Sequence, residues 1–130
     1  RESPLTHHAT SGSFPSHAPK PGDRLPYIVY NEDSKEVNLH EKVTGTGFHL
    51  FVFTKSTPLD EIILVAENYA HLLLVETIPY TSETRYLYER LGIKNNGYYL
   101  IRPDMYIACR SCLPEAEYFD SYLRQFLNEN

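Results

Sequence analysis

"FHLFVFTKSTPLDEIILVAENYAHLLLVET" (residues 48–77) decides how the chain folds. Its first seven residues, 48–54, are aromatic and β-branched and nearly continuous in apolar character. That pattern predicts a central strand buried on both faces. From Leu59 the period changes: Leu59, Ile62, Ile63, Ala66 and Tyr69 fall on one face of a helix. Thr57 is placed to cap that helix, Pro58 suits its first position, and Asp60 completes a Ser/Thr-x-x-acid box. Residues 71–77 return to an apolar run too short for a helix and are expected as a strand. A strand, a helix and a strand in this order predict a parallel pair joined by a right-handed crossover.

Reading toward the C-terminus, "SETRYLYERLG" (82–92) predicts a second helix, capped by Ser82 and stopped by Gly92. "YYLIR" (98–102) and "MYIACR" (105–110) read as two strands joined by a Pro103-Asp104 turn, Pro fixing φ and Asp bonding local backbone. Period-2 counting puts Met105, Ile107 and Cys109 on one face. A terminal helix is expected from Pro114, with Phe119, Tyr122, Leu123, Phe126 and Leu127 as its apolar stripe. Toward the N-terminus, "YIVY" (27–30) and "EVNLH" (36–40) flank the polar turn "NEDSK", predicting a small hairpin. Residues 1–26 hold five prolines and no apolar period, so they are expected as an extended arm or linker, with the folded domain at 27–130. The order is that of an α/β, thioredoxin-like domain: a central mixed sheet flanked by helices, with an N-terminal extended arm and an extra hairpin.

At 130 residues the chain suits one domain with its own core. A formal net charge of −5 argues against a nucleic-acid partner. No apolar run approaches the length of a membrane span, and no signal peptide is visible. Two Cys without a signal predict a cytoplasmic location. The chain opens on Arg rather than Met and is expected to be a fragment or processed form. Eleven Tyr and six Phe without Trp suit a core with wet edges.

Cys109 and Cys112 have the spacing of a dithiol centre, but in the wrong place. In thioredoxin-type enzymes the dithiol follows the first central strand, where the helix N-terminus lowers the thiolate pKa. That position reads "FTKSTP" (53–58), without cysteine, and the approach to the hairpin, "KNNGYY" (94–99), lacks the expected proline. Structural thiols are the simplest assignment; relocated redox chemistry and an adventitious disulfide or shared metal are the alternatives. His7, His8 and His17 lack a carboxylate or thiol at ligand spacing and read as linker histidines, and His40, His49 and His71 as structural ones. The acidic pairs Asp60/Glu61 and Glu115/Glu117 suit helix N-termini better than acid–base catalysis. No phosphate-loop, dinucleotide, zinc-protease or nucleophile-elbow motif occurs; "GTG" (45–47) leads into a strand and reads as a turn.

"YYLIRPDMYIACR" resembles the final hairpin in the C-terminal domain of class A FAD-dependent aromatic-ring hydroxylases, the phenol-hydroxylase-like monooxygenases. The match runs through Leu100, Ile101, Arg102, Pro103, Asp104, Tyr106, Ile107, Ala108 and Arg110. "PKPGDRLPYIVY" (19–30) is similar to that family's Pro-Gly-Asp-Arg-x-Pro lead-in, on Pro21, Gly22, Asp23, Arg24 and Pro26. "RESPL" (1–5) and "GTGFHLFVF" (45–53) are similar to further segments in the same order. Met105 stands where the family has glycine, and Cys109 where a large aromatic is common. If the turn needs a left-handed residue at 105, Met costs about 1–2 kcal/mol relative to Gly; a different turn type removes the cost.

The resemblance implies a thioredoxin-like domain without catalytic, cofactor-binding or metal-binding residues. FAD and NAD(P)H would serve the full-length protein, an O₂-using monooxygenase of aromatic substrates, and this chain alone would be inactive. Its partner would be the upstream flavin domain, with a homodimer as a further option. The alternative function is a free-standing thiol-disulfide oxidoreductase using Cys109 and Cys112.

Overall fold

A computed structural model describes residues 10–44, 47–55, 59–113 and 117–127. Among these, seven strands and three α-helices follow in the order β1 (Thr10–Ser11), β2 (Val29–Glu32), β3 (Lys35–Asn38), β4 (Phe48–Thr54), α1 (Asp60–Glu67), β5 (Leu73–Pro79), α2 (Arg85–Leu91), β6 (Asn96–Ile101), β7 (Ile107–Ser111) and α3 (Glu117–Leu127). The main sheet has the order β1-β7-β6-β4-β5, and β2 and β3 form a separate hairpin.

The strand read as central is central. β4 pairs parallel with β5, Phe48 opposite Leu73 through Thr54 opposite Pro79. On its other side it pairs antiparallel with β6, from His49 opposite Ile101 to Thr54 opposite Asn96. Leu50, Phe51, Val52 and Phe53 are fully buried, which contributes about 1.5–3 kcal/mol for each side chain. Alternation splits them between two cores. Leu50 and Val52 pack with Leu100, with Ile62 and Ala66 of α1, and with Phe119 and Leu123 of α3. Phe51 and Phe53 pack with Tyr99 and Ile101, with Leu87, Tyr88 and Leu91 of α2, and with Ile28 and Tyr30 near the hairpin. The molecule is therefore three-layered, a mixed sheet flanked by helices as expected for a thioredoxin-like fold.

Several boundaries differ from expectation, each for a local reason. The β2–β3 turn is Asp33-Ser34, both at positive φ, between paired Glu32 and Lys35; two left-handed residues match the twist of a two-residue hairpin. Leu39 and His40 do not extend β3: Asn38 accepts a hydrogen bond from the His40 N–H and starts a 3₁₀ turn over Leu39–Lys42. α1 begins at Asp60 with Leu59 at its N-cap, while Thr57, Pro58 and Pro114 lie outside the described residues. α2 is entered through Thr84 rather than Ser82, because the Thr84 hydroxyl donates to the Pro79 carbonyl and accepts from the Thr81 N–H. Gly92 stops α2 as predicted, at φ 73°.

The largest correction concerns the last strand. Leu100 faces Cys109, but Ile101 faces Ile107, so Ala108 is an extra residue in a bulge. Ile107 then enters the α2-side core and Cys109 the α1/α3-side core, and the predicted common face is broken. The proline-rich arm also contributes order that its composition did not signal. Thr10–Ser11 forms a parallel edge strand on Arg110–Ser111.

Candidate functional site

Three places could carry function on this scaffold: the carboxyl ends of the parallel strands, the cysteines, and the meeting point of arm and hairpin. At the first, β4 ends at Thr54 and Lys55 follows; residues 56–58, within the usual dithiol position, lie outside the described set. The Lys55 ammonium sits 4.4 Å from the centre of the Tyr80 ring. Tyr80 is braced edge-on by Tyr88 at 5.0 Å, and the Tyr88 hydroxyl donates to the carbonyls of Thr54 and Ile78. A cleft of about 470 Å³ opens here, with Arg85, Glu89 and Lys94 on its rim.

Cys109 and Cys112 are both free thiols. Cys109 is buried among Leu50, Leu100 and Phe119, and burial pushes its thiol well above the ordinary range. A thiol held protonated is a poor nucleophile. Cys112 is half-buried past the end of β7, its Sγ 3.5 Å from the Ser13 carbonyl of the arm. Its register opposite Leu100 sets Cys109 in the α1/α3-side core as a small apolar side chain.

The two motif segments that are 80 residues apart in sequence lie together. The Gly22 N–H donates to the Ile107 carbonyl, the Ile107 N–H to the Asp23 carbonyl, and the Leu25 N–H to the Met105 carbonyl. Arg24 forms a β-bridge with Tyr106. Asp23 also accepts from the Lys20 N–H through its carboxylate, closing the turn at Pro21-Gly22. Asp23 and Arg24 thus anchor the arm through their backbone, and Pro21 and Pro26 bracket this strap.

In the hairpin, the Met105 N–H returns to the Arg102 carbonyl across Pro103-Asp104. Met105 has φ 78°, so the turn is of the type that needs a left-handed residue there. Arg102 and Asp104 form an ion pair at 2.7 Å with both side chains about half exposed, worth about 0–1 kcal/mol.

Arg110 has a role that sequence reasoning missed. It is buried and holds the arm at three points: Nη1 donates to the Pro19 carbonyl at 2.7 Å, Nε donates to Thr10 Oγ1 at 3.1 Å, and the guanidinium lies 4.1 Å from the Phe14 ring centre. Tyr99, its neighbour, donates to the Leu91 carbonyl, and burial raises its hydroxyl to about 12. An aromatic in an arm without apolar period (Phe14) was the one available signal, and it did not specify a partner.

The histidines are dispersed. His17 bonds the Glu89 carbonyl, His40 the Leu25 carbonyl, and His49 accepts from the Thr44 N–H. His7 and His8 lie outside the described residues. Among the described residues no group of three His, Cys, Asp or Glu could hold a metal ion, and no helix is long and apolar enough to cross a membrane.

No protein-family model matches the chain, and no curated protein matches it by sequence. Solved structures match its fold. Aklavinone-11 hydroxylase, solved with FAD and aklavinone, superposes with a TM-score of 0.63 at 22% identity over 86% of this chain and 22% of its own. The flavin-dependent monooxygenase PieE, solved with FAD and substrate, has a TM-score of 0.63 at 20% identity over 85% of this chain and 20% of its own. The thioredoxin domain of a thiol-disulfide oxidoreductase from Bacteroides vulgatus has a TM-score of 0.61 at 11% identity over 83% of this chain and 98% of its own. The chain spans about a fifth of the length of each of the two monooxygenases. All three likenesses are of the thioredoxin-like fold.

Proposed function

We propose that this chain is the thioredoxin-like, non-catalytic domain of an FAD-dependent, NAD(P)H- and O₂-using monooxygenase that hydroxylates aromatic substrates. One observation carries the proposal: the Pro-Gly-Asp-Arg strap and the Arg-Pro-Asp hairpin are a single hydrogen-bonded unit, with a left-handed residue at the position where the resembling motif has glycine. Two separate sequence resemblances thus join in one structural device. The fold-level likeness to the two monooxygenases supports the same assignment.

The chain's own residues do not fit FAD. Its three strand-to-helix connections, 55–59, 80–84 and 112–116, contain no glycine to let a backbone approach a pyrophosphate. Flavin chemistry would belong to an upstream domain, and this domain would pack on that catalytic body or help subunits associate. Residues 1–26, whose described part from Thr10 onward is strapped to the fold, would then lead in from that domain to the unit at 27–130, in a cytoplasmic enzyme whose two thiols stay reduced.

The test is to express the chain with the coding sequence that precedes Arg1. The longer protein is expected to purify with FAD and to oxidise NAD(P)H when a phenolic substrate is added, while the 130-residue chain does neither. An upstream frame without a Gly-x-Gly-x-x-Gly strand–turn–helix unit, yielding a colourless protein, would contradict the proposal. Among the described residues, the buried Cys109 thiol, held protonated by burial, weighs against the thiol-disulfide alternative.

A further inference from the structure

The cleft beyond Lys55 lies where open α/β sheets bind small molecules, at the carboxyl ends of parallel strands. Its charge runs against that of the chain. Lys55, Arg85 and Lys94 face one carboxylate, Glu89, in a protein of formal net charge −5. Glu89 stands 3.6 Å from Arg85. Among the described residues neither Lys55 nor Lys94 forms an ion pair. A local cation cluster on an acidic molecule draws small anions and steers them to one place.

Part of the wall is apolar. Tyr80 and Ile93 line the cleft, and Tyr88 ties its floor to the last residues of β4 and β5. The Lys55 ammonium lies within cation–π range of the Tyr80 ring. About 470 Å³ is the size of a small-molecule site.

We infer that this cleft binds a small aromatic anion, its ring against Tyr80 and Ile93 and its carboxylate or phosphate met by Lys55 and Lys94. The inference goes beyond the accessory-domain proposal and does not depend on it.

The test is a ¹H–¹⁵N titration of the 130-residue chain with phenyl phosphate, benzoate, inorganic phosphate and benzyl alcohol. Saturable shifts are expected at Lys55, Tyr80, Gly92, Ile93 and Lys94. Phenyl phosphate or benzoate should bind at least tenfold tighter than benzyl alcohol, which lacks the charge, and than inorganic phosphate, which lacks the ring. Lys55→Gln with Lys94→Gln should weaken binding at least tenfold, and Lys35→Gln, on the exposed hairpin, should not. Benzyl alcohol binding as well as phenyl phosphate, an unchanged double variant, or shifts absent or scattered over the surface would each overturn the inference.

Discussion

Met105 and Arg110 show how one residue sets the behaviour of a segment. Met105 occupies a left-handed position at φ 78° while its side chain packs on the α2-side core. The strain is about 1–2 kcal/mol, partly offset by that packing. Met105→Gly is therefore expected to stay within about 1 kcal/mol of the parent. Met105→Val, β-branched at a positive φ, should lose about 2 kcal/mol or more in urea unfolding. Equal stabilities for the two variants would place the turn in another class. Arg110→Met removes two hydrogen bonds and a cation–π contact from one buried group. A loss of about 2–3 kcal/mol is expected, with earlier proteolytic cleavage in the arm. The Arg-Pro-Asp turn was legible at this scale because Pro and Asp act locally. The arm clamp was not, since its contacts join residues 91 to 100 positions apart.

At the scale of elements, period and length identified every helix and strand of the main sheet from β4 onward. Bounds failed where a side chain competed with the ladder: the Asn38 cap turned Leu39–Lys42 into a 3₁₀ turn, and the Thr81–Thr84 hydroxyls delayed α2. The Ala108 bulge defeated period counting, because nothing in "MYIACR" marks which residue drops out of register. The hairpin is joined to the sheet by Lys42, which reaches Glu32 at 2.7 Å and Glu76 at 3.2 Å. Burial pulls its pKa down, but these two carboxylates hold it at about 12. Lys42→Met should cost about 1 kcal/mol at low salt, modest because Glu76 is partly solvated, and less in 1 M NaCl. A loss independent of salt would assign the effect to packing alone.

Across the whole molecule, His49 links fold stability to pH. Burial lowers its pKa, with weaker opposing influences from the Gly47 and Thr44 backbone and Glu76, so the folded state keeps it neutral. The unfolded chain takes up a proton near pH 6.5. Stability is then complete above that value and falls as the pH drops from about 6.5 through the lower folded-state pKa. Urea midpoints at pH 7.0 and 5.5 should differ more for the parent than for His49→Gln. An equal pH dependence in both would remove His49 from the account.

The layered architecture was legible from composition and period because each layer repeats a strong apolar pattern. The cleft was not, because Lys55, Tyr80, Arg85 and Lys94 meet only after β4 and β5 pair. We propose that this thioredoxin-like scaffold carries no working dithiol. The most direct measurement is insulin-disulfide reduction by the pre-reduced 130-residue chain. The rate should equal that of the reductant alone and be unaffected by Cys112→Ser; turnover well above that background, abolished by Cys112→Ser, would contradict it.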